Sequence, residues 1–477
     1  MRPTLPGSIA CASTSICFAV LFSGCTVGPN YKRPAIQTPA SFRAPAPVPP
    51  GESSSLADLK WFEVFKDEKL QDLVRTALVQ NYDLRDAVAR VEAARANLGI
   101  TRSQQYPNFA AGGDITTTRF SRKGDLPLPA AVVPAQNRTF GSATLDLLSF
   151  EIDIWGRLRR ATEAARANLL SAEETRKAVI TTLVGDVSTA YFDLRELDSE
   201  LEISNRTLAT RRSSLDLIKS RQNGGVATLL DLRQGEELVY TASETIPALQ
   251  RQIEQTENAI SLLLGRNPAA VARGQSLTEQ KLPPDVPAGL PSALLERRPD
   301  IRSAEANLVA ANAEIGVAKA AYFPQISLSG FFGGQSNQLS NLFSKPNGAW
   351  SFGPQVAQPI FTAGRLKSNV KLAEAEHESA LVEYEKAIQT AFTEVSDALI
   401  AHQRVRESRV QQELLVAALE DRTRLAYVRY RGGVDTLLNA LDADRDQFQG
   451  ELNLAQLRRD ELLSVVQLYK ALGGGWQ

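Results

Sequence analysis

Histidine and methionine are almost absent: of 477 residues only His377 and His402 are histidine, and Met1 is the only methionine. A histidine-built metal centre or a methionine relay needs several such ligands close together, so no metal is expected. No cofactor is expected either, because the sequence lacks a P-loop, a dinucleotide fingerprint and a Ser/His/Asp grouping. The chain does not read as an enzyme. Excess charge of one sign is also missing, since 53 Lys and Arg stand against 54 Asp and Glu. A basic footprint is what nucleic-acid binding requires, and none is present. With 22% of residues charged and 43% hydrophobic, the composition fits neither a disordered chain nor a polytopic helical membrane protein.

What is present begins with a leader. Arg2 precedes an apolar run from Ile9 to Phe22, followed by Ser23, Gly24 and Cys25. A basic start, a short apolar core and small residues before a cleavage point are the parts of a secretory signal. The terminal cysteine resembles the acylated residue of a bacterial lipoprotein, although Phe22 stands where leucine is usual. Residues 1–24 are therefore expected to be removed and Cys25 to carry lipid. Cys11 and Cys17 go with the leader, so the mature chain has no internal disulfide. Residues 25–60 include RPAIQTPASFRAPAPVPP, whose proline favours extended, solvated backbone. This segment reads as a tether.

The rest of the chain repeats itself. Residues 83 to 109, DLRDAVARVEAARANLGITRSQQYPNF, align without a gap to residues 300 to 326, DIRSAEANLVAANAEIGVAKAAYFPQI, at a separation of 217. Further on, Gly156-Arg157-Leu158 matches Gly364-Arg365-Leu366, and Gly224-Gly225 matches Gly432-Gly433, each at a separation of 208. A constant offset over so long a stretch marks a duplication, with repeats expected at 61–265 and 266–477 that fold alike.

Each repeat reads as a helix, two strands, a very long helix and a returning helix. Between Arg365 and Arg431 there is no proline or glycine, and Leu381, Tyr384, Ile388, Phe392, Val395 and Leu399 recur at steps of three and four, the pattern of a coiled-coil-like stripe. At about 1.5 Å per residue such a rod is on the order of 100 Å long. The glycine pairs Gly224-Gly225 and Gly432-Gly433 end the rods, because glycine accepts the positive-φ geometry of a helix terminus. A surface helical hairpin accounts for the glycines; it does not account for rod length or duplication.

Strands are expected near 108–119, 143–154, 325–334 and 349–361. In TLDLLSFEIDI, Leu148, Phe150, Ile152 and Ile154 alternate with Ser149, Glu151 and Asp153; in the last segment Trp350, Phe352 and Val356 alternate with Ser351, Gly353 and Gln355. A soluble antiparallel sheet with one wet face has this pattern, and so does a transmembrane barrel. Four strands close no barrel, since small membrane barrels start at about eight, and an open edge cannot stand in lipid. If these strands face lipid, several chains share one barrel.

The phrases TVGPNYKRP after Cys25, WFEVFKDEKL at 61–70, RRPDIRSAEANLVAANAEIGVAKAAYFPQISL at 297–328, PQVAQPIFTAGRL at 354–366 and YRGGVDTLLNALDA at 430–443 spread over nearly the whole mature chain. In them the chain resembles the TolC-like outer membrane factors, in the lipoprotein (NodT-type) subfamily that serves resistance-nodulation-division efflux pumps. The resemblance implies an α+β membrane protein: a homotrimer whose four strands per chain make a twelve-stranded barrel, continued by a long helical barrel in the periplasm. It implies lipid anchoring in the outer membrane, a periplasmic adaptor and an inner-membrane resistance-nodulation-division transporter as partners, and passive exit of small molecules. A duct for protein secretion has the same architecture; a periplasmic coiled-coil scaffold without a pore is a third reading.

The resemblance also implies a periplasmic aperture at Leu438, Asn439 and Asp442. Leu438 and Asp442 are four apart and share a helix face. Asn439 stands where the archetype has an aspartate, so one acidic ring is missing. Tyr430, Arg431 and, in the first copy, Asp231 are the expected closed-state partners. The alternative is ordinary packing for Leu438 between rods and plain solvation for Asp442.

Overall fold

The computed structural model describes residues 26–43, 55–119, 137–280 and 291–476. The leader and Cys25 lie outside the described residues, as does part of the expected tether. Asp67 starts the first main helix, α1 (Glu68–Gln80), by accepting the backbone N–H groups of Lys69 and Leu70 at 2.9 and 3.3 Å, which satisfies two donors that a helix start leaves unpaired. In order there follow α2 (Tyr82–Ser103), β1 (Phe109–Arg119), β2 (Asn137–Glu151), α3 (Arg157–Asn223) and α4 (Leu229–Leu263). The second series is α5 (Pro299–Ala320), β3 (Gln325–Ser336), β4 (Gly348–Ala357), α6 (Arg365–Arg431) and α7 (Leu437–Ala471).

The duplication is visible residue for residue. α2 and α5 each have 22 residues, α3 and α6 each 67, α4 and α7 each 35. The repeats are nevertheless not the packing units. Among the described residues, one compact unit combines 26–34 with Glu92–Leu170 and Glu305–Val382; the other combines Ala35–Val91, Ser171–Ala304 and the chain from Glu383 on. Each draws on both halves, because a helix with one apolar stripe buries it against its counterpart from the other copy. In the second unit Tyr191 and Phe192 of α3, Val395 of α6, and Val465, Leu468 and Tyr469 of α7 close over Leu70 and Val74 of α1. Burying each such side chain contributes about 1.5–3 kcal/mol. In the first unit Ala164 and Ala167 of α3 meet Ala310 and Ala313 of α5, small residues that let two helices approach closely.

The four strands form one antiparallel meander in the order β1-β2-β3-β4. Register puts Phe109, Leu147, Gly330 and Phe352 in one row across the sheet, and Ala111, Leu145, Phe332 and Trp350 in the next. The other face carries Asp114, Ser142, Thr144, Asp146, Gln335, Ser351 and Gln355. Leu145, Phe332, Trp350 and Phe352 are all more than half exposed, although they form the apolar face. Among the described residues no helix is long and apolar enough to cross a membrane.

Two strand boundaries differ from the sequence pattern. β2 runs from Asn137 to Glu151 rather than 143–154, with a bulge between Leu147 and Phe150. A bulge inserts an extra residue, so Leu145, Leu147 and Phe150 share the apolar face and the simple alternation beginning at Leu148 fails. Asp153 leaves the strand and accepts the N–H groups of Leu158 and Arg159 at 3.1 and 2.9 Å, starting α3. β4 ends at Ala357, before 358–361.

The tether reading also needs correction, since residues 26–33 are docked. Val27 N–H donates to Trp155 O at 3.0 Å. Arg160, only 3% exposed, donates to Val27 O at 3.3 Å and to Asn30 Oδ1 at 2.7 Å. Asn312 donates to Pro29 O, and Tyr31 and Arg33 both reach Glu305. Gly28, at φ +99°, lies so close to Gly316 that a Cβ on it would come within 2.5 Å of that residue's Cα. Phe42 is buried in the second unit against Phe392. Proline-rich composition predicts extended backbone; it does not predict whether a groove receives it.

Candidate functional site at the helical turns

Both long helices end in the same way. Gly225 and Gly433, at φ +74° and +75°, sit just past the helix, with Val226 N–H donating to Arg221 O and Val434 N–H to Arg429 O at 2.8 and 3.1 Å. Gly225 N–H returns to Gln222 O and Gly433 N–H to Tyr430 O, which completes a Schellman motif at each turn. Only the second glycine of each pair takes the left-handed conformation; Gly224 and Gly432 occupy the preceding cap positions.

The return helices start differently in the two copies. Thr228 caps α4: its hydroxyl accepts Asp231 N–H at 3.1 Å, while Asp231 Oδ2 accepts Thr228 N–H at 2.7 Å, a reciprocal capping box. Asp231 is thus held within its own turn. At the matching place of α7 stands Asn439, which donates to Asp435 Oδ1 at 2.7 Å. Asp435 also accepts Thr436 N–H at 2.8 Å and pairs with Arg429 at 3.0 Å. The hydrogen bonds from Asn439 and Arg429 hold its carboxyl below the usual carboxylate range. One short acid has moved from the first turn of the helix to the residue before its cap.

The remaining expected residues separate by face. Leu437, Ala440, Leu441, Ala443 and Asp444 of α7 are buried. Leu438, one turn before Asp442, is 51% exposed. Asp442 is partly exposed and pairs with Arg445 at 3.3 Å. Leu438, Asp442 and Arg445 therefore share one outward strip. Tyr430 does not join it: it is buried with Ile218, Leu437 and Leu441, and the Arg221 guanidinium lies over its ring at 4.7 Å. Arg431 is exposed at the last residue of α6. Sequence reasoning missed Arg221, Asp435 and Arg445; the spacing of Asp435 four residues before Asn439 was the available signal.

Residues 73–266 and 290–474 match the family model described as outer membrane efflux protein, one match for each half of the duplication. The chain is 39% identical over 480 residues to the toluene efflux pump outer membrane protein TtgF of Pseudomonas putida, covering 97% of this chain and 96% of that one. It is 38% identical over 464 residues to outer membrane protein OprJ of Pseudomonas aeruginosa, covering 97% and 95%. Among solved structures, a membrane protein from Pseudomonas aeruginosa has a TM-score of 0.87 at 37% identity, covering 95% of this chain and 98% of that one. The open-state MtrE outer membrane channel of Neisseria gonorrhoeae has a TM-score of 0.85 at 31% identity, covering 95% and 99%. The fold is accordingly the TolC-like α+β channel fold, in which three chains pool their strands into one twelve-stranded barrel and their helices into a second barrel. The chain belongs to the outer membrane efflux protein family and is an outer membrane channel of an efflux pump.

Proposed function

We propose that the outward strip of α7 is the periplasmic aperture of this channel and that it closes on the threefold axis. The single observation that carries this is an apolar side chain, Leu438, left 51% exposed at a helix start whose other face is buried. Three copies of Leu438 on an axis narrow and dry the passage. Asp442, one turn along, adds three carboxylates that attract cations and repel one another. Arg445 pairs with each Asp442 in its own chain and moderates that charge. With Asn439 neutral, a single tempered acidic ring remains.

Opening comes from outside, through a periplasmic adaptor and a resistance-nodulation-division transporter that supplies the energy; the channel is a passive duct. Similarity to relatives named for toluene efflux supports small organic cargo. A lipid on Cys25 fixes the chain to the outer membrane, and the residues that follow it, 26–33, are docked, with Val27 bonded to Trp155 O.

Leu438→Ala with Asp442→Ala tests the aperture in trimers reconstituted in planar bilayers. Single-channel conductance rises if these side chains form the constriction. Conductance equal to that of the unsubstituted trimer removes the assignment.

A further inference from the structure

The apolar face of the sheet does not stay large-residued along its length. At the end joined to the helices it presents Leu147, Phe109 and Phe352, then Leu145, Phe332 and Trp350. One row further, all four strands turn small together: Gly113, Ala143, Gly334 and Gly348 are aligned across the sheet. A lipid face built from glycine and alanine leaves a trough. The loop between β3 and β4 lies in it.

This loop braces itself. Asn347 Nδ2 donates to Asn341 O at 2.7 Å and to Ser344 Oγ at 2.9 Å, and Asn341 Nδ2 donates to Gln338 Oε1 at 2.9 Å. These amide donors are thereby satisfied within the loop, as polar groups at membrane depth must be. Its apolar groups point elsewhere. Leu342 is 8% exposed, and its carbonyl oxygen lies 2.0 Å from where a Cβ on Gly334 would stand. Leu339 Cδ2 lies 3.2 Å from the same position on Gly141. Beside them a crevice of about 470 Å³ opens between loop and sheet, lined by Ala143, Leu145, Phe332, Leu342 and Phe343. Leu339 and Phe343 are 66% and 84% exposed.

We propose that the β3–β4 loop is a lipid-embedded anchor, with Leu339 and Phe343 inserted among acyl chains at the end of the barrel away from the helices. Depth supports this. From the Ile326 row to the Ser336 row the strand advances ten residues, about 33 Å, which at the usual strand tilt makes an apolar band about 25 Å tall. The loop covers the last two rows of that band. Direction supports it as well: Leu339 lies over Gly141 of β2, an interior strand, and not over β1 or β4, the two edges at which other copies add their strands. The occupant is lipid, which the exposed Phe332 and Trp350 on the same face of an outer membrane barrel call for as well.

Spin labels at Leu339→Cys and Phe343→Cys in reconstituted trimers test this, with Ser340→Cys on the loop and Phe352→Cys on the sheet as references and the unsubstituted channel supplying any signal from Cys25. The expected result is that labels at 339 and 343 collide with oxygen several-fold more, relative to an aqueous nickel complex, than the label at 340. Nickel access at 339 and 343 equal to that at 340, while 352 reads lipid, overturns the anchor alone. Labels at 339 and 343 reached by neither reagent place the loop between copies and also overturn it. A label at 352 that reads aqueous overturns the seating of the sheet, and the anchor with it.

Discussion

Arg211 of α3 and Asp444 of α7 form a buried ion pair, Nε to Oδ2 at 2.6 Å, with side chains 2% and 9% exposed. The guanidinium also donates to Leu238 O of α4 at 3.1 Å and lies over the Phe448 ring at 4.9 Å. Three helices from both repeats are joined at one cation, near the turns that carry the proposed aperture strip. Burial pushes the Asp444 carboxyl up, and Arg211 offsets part of that rise.

Removing one partner strands the other. Asp444→Ala leaves Arg211 buried and uncompensated, a loss of about 3–5 kcal/mol, whereas the double replacement Arg211→Met with Asp444→Leu costs much less because both desolvated charges go together. Thermal melting of the detergent-solubilised trimer, followed by far-ultraviolet circular dichroism, compares the two. Equal losses in the single and double variants show that the pair is not coupled as described.

A buried acidic group sets a pH dependence. Glu196 of α3, 4% exposed, faces Glu200 and Asp193 on its own helix, and Arg459 on α7. Burial first, then the hydrogen bond and charge of Glu200, push its carboxyl up to about 8, against the pull of Arg459. A carboxyl raised in the folded state keeps its proton there after the unfolded chain has lost it. Its contribution is therefore full below the ordinary carboxylate range and falls as pH rises from about 4.3 through about 8, by on the order of a few kcal/mol. Melting temperature should decline across that window, and Glu196→Gln should flatten the decline. A variant with the slope of the unsubstituted channel would exclude Glu196 as its source.

How far these features could be read in advance depends on whether their cause is local. The rods were legible because α6 spans the stretch from Arg365 to Arg431 that lacks glycine and proline, and the turns because two glycine pairs recur at a fixed offset. β2 was misread because its bulge at Leu147–Phe150 breaks period two within one strand. The docking of residues 26–33 depends on Gly28 meeting Gly316, and the Arg211–Asp444 pair joins residues 233 positions apart; neither leaves a local pattern. Leu438 and Asp442 were singled out by the family resemblance, their spacing adding only that they share a helix face, while the diversion of Asn439 to Asp435 became visible only through their contact.

Restoring the missing acid should be informative. In Asn439→Asp the new carboxylate faces Asp435 Oδ1, now 2.7 Å from the amide, and the like charges repel. Rotation to accept Thr436 N–H, as Asp231 does for Thr228 in the first copy, relieves that repulsion and brings a second acidic ring near the axis. Reversal potentials in a salt gradient should shift toward cation preference. An unchanged reversal potential would place position 439 outside the conducting path.

The docked N-terminal strap rests on Arg160. Its guanidinium holds Val27 O and Asn30 Oδ1 while remaining almost wholly buried, and no other side chain of α3 makes both contacts among the described residues. Arg160→Ala removes a bidentate grip that lysine cannot reproduce, because a point charge lacks the planar fork. Each 1.4 kcal/mol lost from docking speeds amide exchange about tenfold, and the Val27 amide, bonded to Trp155 O, reports it directly by hydrogen–deuterium exchange. Arg159→Ala, at a neighbouring residue that pairs with Asp153, serves as the control and should leave the strap protected. If residues 26–31 exchange alike in both variants, Arg160 is not what holds the strap, and the contacts with Trp155, Glu305, Asn312 and Gly316 suffice.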